Sequence, residues 1–247
     1  MKRLYLLVAI ALLLSFGCAC KLETAAPEAS AEATPEATTV PTEAPTAEPT
    51  AEPTAEVTPE PEESITIGGF EGNVFTSPYF NMTFTTPEDW NIATDEQVTA
   101  LFNLSKELME SFKEGNSEIL ETMPMLPLAY VTKFPLGSEN NSNFNLIATN
   151  MGLAALVLKD PVDMIEVTKQ QLEAANVPFE CAEDGKVEIN GQTYAMMQGV
   201  STMQGQSYIQ RMYFTMVNDY IVSFTFTYFE EDEWDDLAPI MDSVTFK

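Results

Sequence analysis

From residue 21 to about residue 63 the chain is built almost only of Pro, Thr, Ala and Glu, and Pro-Thr-Ala-Glu repeats in register from Pro45, Pro49 and Pro53. Such a segment has too few large apolar side chains to offset the entropy of ordering it. Proline at every fourth position biases it toward extended polyproline conformations, and its spaced glutamates repel one another. Its contour length is therefore roughly 130 Å at about 3.1 Å per residue. It reads as a stalk or passive spacer. Whatever folds must be built from residues 64–247.

Ahead of the stalk, Lys2 and Arg3 precede an apolar run from Leu4 to Leu14. That is the length of a signal h-region and too short to cross a bilayer, which takes about 20 apolar residues. Leu12-Leu13-Leu14-Ser15-Phe16-Gly17-Cys18 then looks like a bacterial lipobox, although Ser15 stands where leucine is preferred. Two cysteines, Cys18 and Cys20, sit where a soluble exported protein has no use for a thiol. The expected organisation is a lipoprotein signal peptide at 1–17, a lipid-attached linker at 18–63 and a folded domain at 64–247. Cys18 is the expected lipidated residue, with Cys20 as the alternative. An ordinary secretory signal cleaved at Ala19 or a later alanine is the competing reading.

The chain holds 11 Lys and Arg against 38 Asp and Glu, a formal charge of −27. Of these, 8 bases and 27 acids fall in residues 64–247. Phosphate backbones and anionic lipid surfaces are repelled by such a field, so nucleic acid is excluded as a partner; cationic polymers, basic proteins and divalent cations are not. Histidine is absent altogether. That removes Ser-His-Asp and Cys-His catalysis, imidazole metal sites and the usual switch near neutral pH. Cys181 is the sole cysteine after the leader, so no disulfide forms within the folded part, and the residue reads as a buried or inert thiol.

The folded part alternates between the two periods of regular structure. Phe80, Met82 and Phe84 alternate with Asn81, Thr83 and Thr85, the period of a half-buried strand, and Pro87 stops it. Thr94, followed by Asp95-Glu96-Gln97, is a capping-box pattern. Val98, Leu101, Phe102, Leu108, Met109 and Phe112 then fall on one helical face, with Gly115 marking the end. Alternating runs at Leu128 to Phe134 and Asn143 to Asn150 read as a hairpin. Asp160-Pro161 places an N-cap and an N1 proline ahead of a second helix running to about Asn176. From Lys186 onward, Asn190-Gly191, Gln204-Gly205-Gln206 and Asn218-Asp219 then turn an antiparallel meander that ends at Tyr228. Along its last strand Val222, Phe224, Phe226 and Tyr228 form one apolar face. Trp234, Leu237, Ile240, Met241 and Val244 make a final short helix bent at Pro239. The expected class is α+β, an antiparallel meander sheet covered by helices.

Three stretches carry a family resemblance: Glu71-Gly72-Asn73-Val74-Phe75, Tyr79-Phe80-Asn81-Met82-Thr83-Phe84 and Pro87-Glu88-Asp89-Trp90. They resemble the opening of the PsbP/Mog1-like domain of a Gram-positive bacterial lipoprotein family. Similar too are the Ile189-Asn190-Gly191 turn, the aromatic strand Tyr220 to Tyr228 and the closing Met241-Asp242-Ser243-Val244-Thr245-Phe246. The resemblance spans nearly all of residues 70–247. It implies a fold and an accessory or binding role, and it brings no catalytic set; Leu120 to Leu128 does not match its pattern.

Three groups of side chains are candidates for a site. Glu230, Glu231, Asp232, Glu233, Asp235 and Asp236 are clustered oxygens able to hold Ca²⁺, but their spacing is not that of an EF-hand. Carboxylates at a helix start also cap free amides and suit its dipole. Met196, Met197, Met203, Met212 and Met216 are soft ligands for copper(I), yet Met212 and Met216 alternate as core residues do. Met123, Met125 and Leu126 belong to a segment whose two prolines oppose a helix or a central strand. It is therefore expected to be a lid over the sheet or an exposed patch for a partner. Arg211 either contributes to a sugar- or peptide-binding surface or braces a neighbouring acid. The functional expectation is a non-enzymatic binding or accessory domain for an envelope protein or cell-wall polymer. It is held by lipid on the extracellular face of the membrane and requires no cofactor. A Ca²⁺-binding surface protein and a carboxylate-dependent wall hydrolase are the alternatives.

Overall fold

A computed structural model describes residues 67–112, 125–152, 158–174, 177–203 and 205–247; the side chains of 106–112, 174 and 203 lie outside that description. The described residues form two antiparallel sheets and three α-helices. The smaller sheet has the order β1(Gly69–Glu71), β2(Val74–Ser77), β3(Met82–Thr85) and β11(Thr245–Phe246). The larger runs β4(Asn91–Ile92), β5(Met125–Thr132), β6(Asn143–Asn150), β10(Tyr220–Tyr228), β9(Gln206–Val217), β8(Gln192–Met203) and β7(Phe179–Ile189). The α+β class with helix-covered antiparallel strands is thus present, but as two sheets.

Local chemistry fixes the element ends. The Thr94 capping box closes reciprocally: Gln97 N–H donates to Thr94 Oγ1 at 3.3 Å, and Thr94 N–H donates to Gln97 Oε1 at 2.9 Å. Helix α1(Asp95–Phe112) follows, with Val98, Leu101 and Phe102 buried against the side of β5. The side chains of Leu108, Met109 and Phe112, and the whole of Gly115, fall outside what is described. Asp160 also caps as expected, accepting from Val162 N–H at 3.0 Å, while Asp163 Oδ2 accepts from the amide of Asp160. Regular helix α2(Asp163–Ala174) nevertheless starts later than Pro161, because the amides of Asp163, Met164 and Ile165 bond to carbonyls three residues back. At Asn190-Gly191 both residues take left-handed φ, +51° and +78°, as a two-residue hairpin turn between Ile189 and Gln192 requires. The Asn190 amide also donates to the carbonyls of Asp242 and Val244 at 2.7 and 2.8 Å, fastening the hairpin to the C-terminal segment.

Four boundaries differ from the sequence reading. Met125, Leu126 and Pro127 extend β5, paired with Thr149, Ala148 and Ile147 of β6, so this part of the segment is a strand of the sheet rather than a lid over it. Proline is tolerated because the register is irregular between Pro127 and Ala129 and β4 reaches only Val131 and Thr132. Strand β7 begins at Phe179, seven residues before Lys186, because pairing with β8 holds an exposed acidic stretch that has no apolar alternation. The hairpin β5–β6 does not stand apart from the meander: β6 pairs with β10 along its whole length. The final helix, α3(Trp234–Asp242), contains Pro239 and stops before Val244, after which the chain enters the small sheet beside Met82 and Thr83.

Two cores hold these layers. Phe75, Met82 and Phe84 of the small sheet, with Phe80 of the turn between β2 and β3, pack with Phe144, Phe224 and Phe226 of the large one, and Leu237, Ile240 and Met241 of α3 join them. Rings meet in sequence from Phe75 to Phe84 at 4.8 Å, Phe84 to Phe144 at 5.3 Å, Phe144 to Phe226 at 4.9 Å and Phe226 to Trp234 at 5.4 Å. Each pair contributes about 0.5–1.5 kcal/mol beyond its buried area. A second core places Met164, Ile165 and Leu172 of α2 with Met197, Met212 and Phe214 of the sheet. The polar side of the central strands is covered as well: Asn143, Asn145, Gln210 and Thr225 have no solvent exposure, and Thr227 has 1%. Alternation predicts a solvated face there; covering both faces of the sheet buries it instead.

Candidate functional site

Two of the sequence features singled out above, the Pro87–Trp90 corner and the acids Asp235 and Asp236, meet in one surface groove. Its cavity of about 430 Å³ is lined by Thr85, Thr86, Pro87, Asp89, Trp90, Lys133, Asp235, Asp236 and Pro239. The Pro-x-x-Trp corner is closed by the Trp90 amide donating to the Pro87 carbonyl at 3.3 Å, which buries the indole and leaves Asp89 exposed. Asn91 Nδ2 donates to the carbonyls of Thr132 and Lys133 at 3.5 and 3.4 Å, setting that corner beside the end of β5. Ser243 Oγ accepts from the Thr85 amide at 2.9 Å and holds the end of α3 against β3.

Lys133 divides the acids of the groove into paired and unpaired. Its Nζ lies 2.9 Å from Asp236 Oδ2 and 3.9 Å from Glu233 Oε1. The hydrogen bond to Asp236 raises the ammonium pKa above its ordinary value, against the opposing effect of desolvation. Glu233 is further engaged, its Oε2 accepting from the amides of Phe229 and Glu230 at 2.9 and 3.1 Å. Asp89 and Asp235 line the same groove and have no ion pair among the described residues. The result is a groove bordered by Pro87 and Pro239 whose acids favour a cationic ligand.

No family model matches the chain, and no curated protein matches it. Solved structures do. Cyanobacterial PsbP from Synechocystis is 12% identical over 72% of this chain and 95% of its own, with a TM-score of 0.46. LpqN, involved in cell envelope biogenesis of Mycobacterium tuberculosis, is 12% identical over 66% of this chain and 82% of its own, at 0.39. A protein of Bacteroides thetaiotaomicron is 13% identical over 72% of this chain at 0.37, and the chain spans about half its length, 49%. At this identity and superposition these are likenesses of shape and assign no activity.

The remaining candidates are dispersed. Glu230, Glu231 and Asp232 stand exposed around the short 3₁₀ turn Glu231–Glu233, and among the described residues no three Asp, Glu, Cys or His side chains converge as a metal site. Met125 and Leu126 are half-buried in β5, with Leu126 packed on the first core; Met123, Cys18 and Cys20 lie outside the described residues. Met196 belongs to the first core, whereas Met197 and Met212 belong to the second, with Met216 packed against it. Cys181 is exposed rather than buried. Local desolvation first, and then the hydrogen bond to Asp184, push its thiol pKa up, so it is a poor nucleophile. Among the described residues Arg211 makes no ion pair with an acid: its guanidinium lies 4.0 Å from the centre of the Trp234 ring, and its Nε donates to Gln198 Oε1 at 2.6 Å. Neither the Lys133 clasp nor the Arg211 stack is signalled in the sequence, because each joins residues far apart in the chain.

Proposed function

We propose that the chain is an exported lipoprotein, moored through Cys18, whose folded part is a non-enzymatic module that holds a cationic envelope partner in the Pro87–Trp90 groove. The observation that carries this reading is the meeting of the proline–tryptophan corner with the acidic start of α3 across Lys133, which leaves Asp89 and Asp235 on its rim without an ion pair among the described residues. A lipid-held stalk supports it, since a tethered module samples partners at the raised local concentration a linker sets. The total lack of histidine supports binding over turnover.

Cross-linking of the full chain in cells, followed by recovery of attached envelope components, tests the groove. Joint charge reversal, Asp89→Lys with Asp235→Lys, is expected to remove the principal adduct. An unchanged adduct pattern overturns the groove assignment. Labelled fatty acid is expected in the mature chain and to be lost in Cys18→Ser. Label that survives in Cys18→Ser and vanishes in Cys20→Ser moves the mooring to Cys20, and an unaltered chain that takes up no label removes it.

A further inference from the structure

Strand β7 closes one side of the large sheet, and among the described residues it pairs with β8 alone. The two-residue turn makes Ile189 and Gln192 a hydrogen-bonded pair, so Ile189, Val187 and Gly185 direct their backbone groups at β8. Asp184, Lys186 and Glu188 direct theirs away from the sheet. This gives three successive N–H and C=O pairs along an unbroken stretch, because the register irregularity at Cys181 and Glu183 lies beyond it. All three side chains are exposed.

Charge then narrows the occupant. Asp184 is taken by Lys169 at 2.5 Å, and Lys186 by Asp160 at 2.7 Å, both from the α2 side. Glu180, Glu183 and Glu188 are left exposed without an ion pair among the described residues. A second copy would bring the same surplus of carboxylates to the junction and be repelled. The stalk of this chain is acidic and has proline at every fourth residue, so it can neither neutralise this edge nor donate a continuous ladder. We propose that β7 is a docking edge for a basic extended segment of another protein, which adds to the large sheet as a further antiparallel or parallel strand. The same carboxylates that keep copies of the chain apart attract that segment. This edge is separate from the groove and stands without it.

A fluorescent peptide of eight residues alternating Thr and Lys, titrated with the full chain in low salt, tests the edge. Binding is expected to weaken steeply with salt. It is expected to fall at least about tenfold when alternate peptide amides are N-methylated, since hydrogen bonds across the edge are then lost. Glu188→Pro removes one outward N–H without breaking the β7–β8 ladder and is expected to weaken binding similarly. Because that variant can also loosen the hairpin, amide exchange of the unmodified chain is read in parallel: Asp184, Lys186 and Glu188 amides are expected to slow when peptide is added. Binding indifferent to N-methylation, exchange unchanged at these amides, or a peptide-free dimer broken by Glu188→Pro each overturns the proposal.

Discussion

Gly199 offers a test in which even the sign of the effect is informative. It lies in β8 opposite Cys181 and Gln210, where a Cβ would stand 2.4 Å from the Glu180 carbonyl oxygen and 2.5 and 2.7 Å from two atoms of the Phe179 ring. Ordinary contact begins near 3.4 Å, so Gly199→Ala must displace both by about an ångström. In an open strand the same change would stabilise by roughly 0.5–1 kcal/mol, because glycine loses more backbone entropy on folding. Here the obstructing carbonyl is backbone and cannot rotate aside. The ring cannot leave without abandoning the second core, against which it packs. Relief comes from lifting the Phe179–Cys181 end of β7, which the register irregularity already separates from the rest of the strand. A net cost of about 2 kcal/mol follows from overpacking of this kind. For a domain of this size that lowers Tm by about 4–8 °C. Thermal unfolding followed by circular dichroism in a four-variant cycle with Phe179→Ala checks it. Gly199→Ala should cost less once the ring is gone, by about 0.5 kcal/mol or more. A neutral or stabilising Gly199→Ala, or an equal cost in both backgrounds, refutes the placement of Phe179 over the glycine.

Asn190→Ala leaves the carbonyls of Asp242 and Val244 without their donor and relaxes the turn, so a loss of about 1–3 kcal/mol in urea unfolding is expected, with Asn190→Gly losing the clasp but sparing the turn. Tyr208 is buried, and desolvation pushes its pKa up to about 12. Unfolded tyrosine gives up its proton near pH 10, so this contribution is complete below pH 10 and is lost as pH rises toward 12, by about 2–3 kcal/mol. Tyr208→Phe should flatten that alkaline slope in pH-dependent urea melts, and an unchanged slope counts against the burial. Millimolar Ca²⁺ is expected to leave Tm unmoved, since Glu233 and Asp236 are engaged with amides and Lys133. A rise of several degrees, as native-only binding produces, restores the cation reading.

Much of the local structure was legible because its causes are adjacent in the chain. Thr94 and Gln97 are three residues apart, Asp160 and Asp163 likewise, and Asn190-Gly191 carries its own turn geometry. The candidate groove was legible only in pieces. Its proline–tryptophan corner and its acids were visible separately, whereas Lys133 and Asp236, 103 positions apart, meet through packing. The segment containing Met125 and Leu126 was misread for a related reason. Proline forbids a central strand only if a neighbour on that side needs its amide, and no described strand lies beside it there.

By itself the sequence determined a strongly negative chain without imidazole chemistry, and the turns and caps that cut the folded part into strands and helices. Tertiary structure decided that β6 joins β10, that the last residues complete the small sheet, and that the polar side of the central strands is covered rather than wet. Turn and cap signals act between neighbours a few residues apart and are written into the local sequence. Strand partners and the burial of a face depend on which distant surfaces exclude water together, and that is settled only when the chain has packed.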